Sequence, residues 1–365
     1  MSDAFRAVIA GGGTGGHVFP ALALAEALGE VAPGAELLFV GSVGGLEERL
    51  VPAAGHRLEV LKVAKLRGVA AGARVAALAG LPLATLRAAA LLRGFAPNVV
   101  VGVGGFASAP VTLAATALRL PVVLLEQNAV PGTVNRALAR LSRLVVIAFK
   151  GAARYLPTDK AVLLGNPVRP GLLRALAAAN TAGRGGAAPR LLVLGGSQGA
   201  HAVNRLVCEA VPLLRGQEQL TVHHQTGSAD REWVERAYRA AGVSARVEAF
   251  IDEIGPALAR ATLVVGRSGA TTLAELSAAG VPALLIPYPH AADDHQAANA
   301  EELVQAGGAL MRRQEALDPG ELAGLLGELL GDRQRLEAMS RAMQASGRPE
   351  AARQIATLLI DRFGG

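Results

Sequence analysis

Arg6-Ala7-Val8-Ile9-Ala10-Gly11-Gly12-Gly13-Thr14-Gly15-Gly16-His17-Val18-Phe19-Pro20 is the stretch that decides the fold. Arg6 to Ala10 has the apolar character of a buried β-strand, Gly11 to Gly16 is a glycine turn, and Pro20 to Leu28 is apolar-periodic and helical. Strand, glycine turn and helix start together make a place for phosphate or another polar ligand. Without a Cβ the turn backbone approaches the ligand closely, and the helix start offers N–H groups and a partial positive charge. Gly102-Val103-Gly104-Gly105-Phe106 and Gly195-Gly196-Ser197-Gln198-Gly199 also follow apolar runs, and the latter leads into another helix. Two turns in the first half and one in the second predict two nucleotide-binding-type halves facing one cleft.

The surrounding sequence extends this scheme. Strands are expected at Ala7–Ala10, Glu36–Val40, Arg57–Leu61, Asn98–Val103, Pro121–Glu126, Leu144–Ala148 and Ala161–Leu164. A second set is expected at Arg190–Leu194, Leu220–Gln225, Arg246–Phe250, Leu263–Val265, Ala283–Ile286 and Ala309–Met311. Helical patterns such as Pro110–Arg119, Ala200–Leu214, Thr271–Ala279 and Asp294–Gln305 lie between them. Near-continuous Val/Leu strands alternating with helices predict parallel sheets covered on both faces. The prolines of Gly165-Asn166-Pro167-Val168-Arg169-Pro170 mark the hinge. Asn180 to Pro189 has the Gly/Ala composition of a flexible loop. Pro349 to Phe363 is an amphipathic helix able to return to the first domain.

Composition narrows the class. The chain has 365 residues, enough for two sizeable cores, and a formal charge of +6, too modest to indicate nucleic acid. A single cysteine, Cys208, excludes an internal disulfide and fits a reducing compartment. The N-terminus lacks a signal-peptide pattern, and the apolar stretch Val75 to Leu86 is shorter than the ~20 residues that span a bilayer. A cytosolic protein is expected. Lys62 to Arg93 nevertheless carries Lys62, Lys65, Arg67, Arg74, Arg87 and Arg93 around Leu81, Leu83 and Leu86, with no acid. That pattern suits an anionic membrane surface or the solvated edge of a core helix.

Several motifs carry chemistry. Gly11, Gly13 and Gly16 satisfy G-x-G-x-x-G, but a dinucleotide site also needs an acid about 20 residues on, at the end of the second strand. That strand ends in Gly41-Ser42-Val43, and no carboxylate follows before Glu47. A nicotinamide cofactor is disfavoured, and so is a P-loop, whose motif does not occur. His17 at the end of the turn suits a general base, or only bonds backbone. Glu126-Gln127-Asn128 ends a buried strand, where sugar hydroxyls are recognised in open α/β sheets. In Arg267-Ser268-Gly269-Ala270-Thr271-Thr272-Leu273-Ala274-Glu275 a strand ends and a helix begins. Ser268 or Thr271 is placed to cap, the backbone to hold a pyrophosphate, and Glu275 to bind a ribose diol. His290 to Gln296 has residues of metal-ligand type, but its aspartates also fit a helix N-cap. His223 and His224 point to opposite faces of a strand, which favours structural roles.

Taken in order, the motifs resemble the MurG family. The runs that carry the resemblance are Gly11–Pro20, Gly102–Pro110, Glu126–Asn128, Gly165–Arg169, Gly195–Ala200, Phe250–Asp252, Arg267–Glu275 and His290–Ala300, spread over nearly the whole chain. The resemblance implies a GT-B fold: α/β, with two Rossmann-like doubly wound parallel-sheet domains and an interdomain cleft. The N-terminal acceptor and membrane-docking domain would span 1–166, joined by a C-terminal helix at 346–365. The UDP-GlcNAc-binding domain would span 167–345. The implied reaction is inverting transfer of N-acetylglucosamine from UDP-GlcNAc to undecaprenyl-pyrophosphoryl-MurNAc-pentapeptide, lipid I becoming lipid II in peptidoglycan synthesis. It implies no cofactor, no metal and no nucleic acid, with peripheral residence on the cytoplasmic face of the bacterial membrane.

Residue by residue, the resemblance puts Thr14, Gly15, Gly16, Asn128, Arg169, Ser197, Ile251, Ala270, Thr271, Thr272, Leu273, Ala274, Glu275 and Gln296 at the donor. Glu275 would meet the ribose, Ile251 the uracil and Gln296 the sugar. Gly13, Gly104 and Gly105 would face the acceptor pyrophosphate. His17 would take the acceptor proton, with Glu126 as second candidate. Two positions depart from the pattern: Leu125 stands where many members carry histidine, and His201 where many carry arginine. The rivals are a nicotinamide-linked oxidoreductase, a non-catalytic sugar-nucleotide-binding or scaffold protein, and another GT-B enzyme such as a glycolipid transferase or UDP-GlcNAc 2-epimerase.

Overall fold

The computed structural model describes residues 4–63, 71–180, 188–196, 199–216 and 219–364. The chain divides into two compact units, Met1–Pro170 with Glu350–Gly365, and Gly171–Pro349.

The first unit holds strands β1 (Arg6–Gly11), β2 (Glu36–Ser42), β3 (Arg57–Leu61), β4 (Val99–Gly104), β5 (Val122–Glu126), β6 (Leu144–Ile147) and β7 (Ala161–Leu163). They pair in the order β3-β2-β1-β4-β5-β6-β7, every neighbour parallel. The second unit holds β8 (Arg190–Leu194), β9 (Thr221–Gln225), β10 (Ala245–Glu248), β11 (Leu263–Gly266), β12 (Ala283–Leu285) and β13 (Ala309–Met311). Their order is β10-β9-β8-β11-β12-β13, again all parallel. Each sheet therefore reverses its winding once, between β1 and β4 and between β8 and β11. In doubly wound sheets that reversal opens the crevice where ligands bind.

The cores explain the near-continuous apolar strands. In the first sheet Ile9, Val101 and Val123 face one layer, which includes Leu24 and Leu28 of the helix Gly15–Val31. Val8, Val100, Val122 and Leu124 face the other, with Ala88, Leu92 and Val111. Each strand alternates its side chains between two dry faces, so nearly every position is apolar. The helix Ala351–Phe363 completes the first layer with Ala352, Ile355, Ala356 and Leu359. In the second unit Leu191, Val193, Val265 and Leu284 pack with Val203, Val207, Leu322 and Leu326.

Candidate active site

In the first unit the two glycine turns end the two strands that flank the winding reversal, β1 and β4. They lie backbone against backbone: a Cβ on Gly105, where φ is +79°, would sit 2.6 Å from the Gly12 carbonyl oxygen. His17 lies over the second turn, its Cδ2 and Nε2 each 2.9 Å from where a Gly104 Cβ would be. Only glycine lets the imidazole come so near. The His17 Nδ1 is 3.2 Å from the Gly12 oxygen and 3.4 Å from the Thr14 hydroxyl. The expectation of a ring that bonds backbone is met at Nδ1.

β5 lies beside β4 and ends in Glu126, 2% exposed. Its Oε1 accepts the Asn128 N–H at 2.9 Å, and its Oε2 the Gly132 N–H at 3.0 Å and the Asn135 side-chain amide at 2.9 Å. Burial raises its pKa, and these N–H donors work against that rise. The carboxylate thereby shapes the loop that carries Asn128. Gln127 ties that loop to the second turn, its Nε2 donating to the Val103 oxygen at 3.0 Å. Thr14, Gly15, Gly16 and Asn128 thus lie around the ends of β1, β4 and β5, together with Gly13, Gly104 and Gly105. The Gly13 amide is already engaged, donating to Glu47 at 2.6 Å. The Arg169 guanidinium lies 5.0 Å from the Phe19 ring centroid, just beyond His17 in sequence.

In the second unit the strands flanking the reversal are β8 and β11. The third glycine turn follows β8, though Ser197 and Gln198 lie outside the described residues. After β11 the helix Ala270–Ala279 starts at Gly269, with no side-chain cap and no acid in its first turn. Neither Ser268 nor Thr271 caps it, which corrects the sequence expectation. Instead the Ser268 Oγ and Thr271 Oγ1 are buried and have no hydrogen-bond partner. The uncapped helix start and these two hydroxyls form a cluster of donors suited to an anion. Thr272, Leu273 and Ala274 continue the first turns, and Glu275 is partly exposed one turn in.

Two side chains that sequence reading passed over hold this region. Gln225, the last residue of β9, donates from Nε2 to the Gly196 oxygen at 3.0 Å and accepts the Ile251 N–H on Oε1 at 3.1 Å. It links the third turn to Ile251, which is 5% exposed. Its signal was available: a polar residue ending the strand next to β8, as Glu126 ends β5. Arg267, 8% exposed, donates to the oxygens of Ile286 at 3.1 Å and Pro287 at 2.9 Å and to Gln314 at 2.7 Å. It fixes the chain after β12, where the Tyr288 N–H meets the Gln296 Oε1 at 2.9 Å.

The other motifs take structural partners. Asp294 pairs with Arg313, donor to acceptor 2.8 Å, and His295 bonds the Ala292 oxygen. Among the described residues no group of three His, Cys, Asp or Glu gathers as a metal would require. His201 sets its Nδ1 3.0 Å from each Asp230 oxygen. Burial raises the Asp230 pKa, but hydrogen bonds from Trp233, His201 and Asn204 outweigh it and hold the carboxyl below its usual range. The helix Ala71–Phe95 exposes Leu83 and Leu86, with Arg87 and Arg93 also exposed. Lys65 and Arg67 lie outside the described residues, as do 181–187 of the Gly/Ala-rich loop. Among the described residues no helix is long and apolar enough to cross a membrane.

Comparison with known proteins agrees with this architecture. Residues 7–147 match the glycosyltransferase family 28 N-terminal domain, and residues 190–355 its C-terminal domain. A protein of Anaeromyxobacter dehalogenans is 45% identical over 357 residues, 98% of this chain and 92% of that protein. One of Myxococcus xanthus is 44% identical over the same length, with the same coverage of each chain. Both are named UDP-N-acetylglucosamine–N-acetylmuramyl-(pentapeptide) pyrophosphoryl-undecaprenol N-acetylglucosamine transferase. The crystal structure of Acinetobacter baumannii MurG superposes with a TM-score of 0.80 at 30% identity, covering 98% of this chain and 99% of that one. The chain belongs to glycosyltransferase family 28, and within it to the MurG family of GT-B enzymes.

Proposed function

We propose that the protein transfers N-acetylglucosamine from UDP-GlcNAc to the MurNAc C4 hydroxyl of undecaprenyl-pyrophosphoryl-MurNAc-pentapeptide, with inversion, as a hexosyltransferase of peptidoglycan synthesis. Full-length relatives named for this transfer support it over the oxidoreductase, epimerase and scaffold readings. The observation that carries it is the start of the Ala270–Ala279 helix, uncapped and flanked by the unpartnered hydroxyls of Ser268 and Thr271. A diphosphate would satisfy them all.

In this reading the acceptor oxygen attacks the anomeric carbon and the carbon–oxygen bond to UDP breaks. The sugar becomes oxocarbenium-like, and negative charge grows on the departing diphosphate. The helix amides, with Ala270 and Thr271 foremost, stabilise that charge where it develops. Thr272, Leu273 and Ala274 extend the same surface, Glu275 takes the ribose diol, and Ile251 flanks the uracil. Gln296 presents its NH2 to the sugar, since its Oε1 is held by Tyr288. Ser197, Thr14, Gly15, Gly16, Asn128 and Arg169 complete the proposed donor set.

His17 is the better base of the two candidates. Glu126 spends its oxygens on loop amides, whereas the His17 Nδ1 faces a carbonyl oxygen, an orientation in which Nε2 would take the acceptor proton. Gly104 and Gly105 would face the acceptor pyrophosphate, with Gly13 beside them leaving room for it while its own amide is held by Glu47. The acceptor-binding role falls to the unit Met1–Pro170 with Glu350–Gly365, and donor binding chiefly to Gly171–Pro349. Leu83, Leu86, Arg87 and Arg93 would dock that first unit on an anionic membrane surface on the cytoplasmic side.

Calorimetric titration with UDP in the presence of a chelator tests the carrying observation. Uptake without divalent ions is expected, and with UDP-GlcNAc in place of UDP, release of UDP only when lipid acceptor is added. Absence of uptake, or strict dependence on a metal, would overturn the reading. Vesicle sedimentation with and without anionic lipid tests the docking surface, and equal binding to both would remove it.

A further inference from the structure

Glu47 is a buried carboxylate that the proposed reaction leaves unused. It opens the short helix Glu47–Ala53 and is 1% exposed. Its Oε2 accepts the Gly13 N–H at 2.6 Å, and its Oε1 accepts the Ser42 N–H at 2.9 Å and the Ser42 hydroxyl at 3.1 Å. No cation pairs with it among the described residues. Its cradle is built from absent side chains, because a Cβ on Gly12 or Gly45 would overlap the carboxylate. Such a space admits one planar anion and little else.

The location gives this arrangement its meaning. In a Rossmann half the turn after the first strand is where backbone amides meet a bound pyrophosphate. Here the amide at the middle of that turn is directed inward, onto an anion belonging to the chain itself. Short hydrogen bonds from backbone N–H groups to a carboxylate are about twice as strong as neutral ones. The turn is thus fixed from beneath, while Gly13 and Thr14 above it remain exposed and His17 follows directly.

We infer that Glu47 stands in for phosphate under the first glycine turn and is a positioning residue for the transfer. It commits the Gly13 amide to the protein rather than to a ligand, and it sets the turn so that His17 meets the acceptor hydroxyl. The second half of this statement rests on the proposed role of His17; the first does not. Of the proposed donor set only Thr14, Gly15 and Gly16 adjoin this turn, so turnover should depend on Glu47 far more than donor affinity does.

Two measurements test the inference. The first is hydrogen exchange of the Gly13 amide in the intact wild-type protein without substrates. An amide of an exposed residue outside strand and helix, once bonded to a buried carboxylate, should exchange at least about 100-fold more slowly than in an unstructured peptide. Exchange at the unprotected rate would overturn the inference whatever the enzyme transfers. The second is steady-state kinetics of Glu47→Gln, normalised to UDP-binding sites. The isostere places an NH2 against donors, so kcat should fall about 10- to 100-fold through misplacement of the turn. KM for UDP-GlcNAc should stay within about twofold, since most of the proposed donor set belongs to Gly171–Pro349 rather than to this turn. If this variant does not fold, Ser42→Ala, which removes one donor and keeps the carboxylate, should show a smaller loss of kcat with the same unchanged KM. A kcat per UDP site equal to wild type, or a donor KM that rises in step, would show Glu47 to be merely structural. If the wild-type enzyme transfers no GlcNAc, the proposed function fails while the amide measurement still decides the first half.

Discussion

The imidazole of His17 sets its Nδ1 3.2 Å from the carbonyl oxygen of Gly12. A carbonyl oxygen can only accept, so in this contact Nδ1 carries the hydrogen, the arrangement that the proposed base role of Nε2 requires. The ring is thereby oriented by the turn it follows. His17→Ala should lower kcat by about 10² to 10⁴, the usual worth of a general base. KM for UDP-GlcNAc should hardly move. His17→Asn keeps a short polar group but no base and should be as inactive. Initial rates of lipid II formation check both, and retained turnover in either would remove His17 from the base role.

Gln225 makes a different kind of prediction, because it bonds two segments at once, Gly196 and Ile251. Gln225→Leu fills the same volume but leaves a buried carbonyl and a buried N–H without partners, at about 1–3 kcal/mol each. The segments will shift to find other partners, and both belong to the proposed donor region. UDP affinity measured by calorimetry should fall about tenfold, consistent with one such cost. Turnover at saturating donor should change far less. Gln225→Glu, which cannot donate to Gly196, should be intermediate.

These two cases show what the sequence carried and what it did not. The inner strands such as β1, β4, β5 and β11 were legible because each is a short run of Val, Leu, Ile, Ala and Gly that both sheet faces bury, while β3, β9 and β10 are more polar. Glycine turns announced the winding reversals for the same local reason. Glu47 was met only as an acid too late to hold a ribose; that it folds back under Gly13 depends on the packing of the Glu47–Ala53 helix against β2. Arg267 was quoted within a motif, yet its partners Ile286, Pro287 and Gln314 lie far along the chain. Ser268 and Thr271 show the converse, since a capping residue and an unsatisfied one look alike until the helix start is placed.

The C-terminal helix is a structural member of the first unit. Ile355 and Leu359 are fully buried in the layer with Leu24 and Leu28. Leu359→Ala should cost about 2–5 kcal/mol, the range for a large-to-small change in a closed core. Chemical denaturation should show the loss in the transition of the first unit, with the second unit's transition unchanged. Removing residues 351–365 should abolish that first transition altogether. A truncated protein in which both transitions survive would mean that the sheet is covered without the helix.

His224 yields a pH dependence. It is fully buried on β9, with Nδ1 2.9 Å from the Tyr238 hydroxyl and Nε2 3.0 Å from the Asn204 Oδ1. Burial pushes its pKa down to about 3, with a smaller opposing pull from Asp230. In the unfolded chain an ordinary histidine titrates near 6.5, so between those values the unfolded state holds a proton that the native state refuses. Stability therefore rises with pH across this window and is lost as pH falls below about 6.5, by up to about 1.4 kcal/mol per pH unit. Glu248, whose pKa is lowered despite burial by bonds from His223 and Arg246, adds a loss of the same sign at lower pH. Urea unfolding of the second unit at pH 7.5, 6.0 and 5.0 should show the slope. His224→Gln, which retains hydrogen-bonding capacity without the titration, should flatten it between pH 6.5 and 5, and an unchanged slope would place the proton elsewhere.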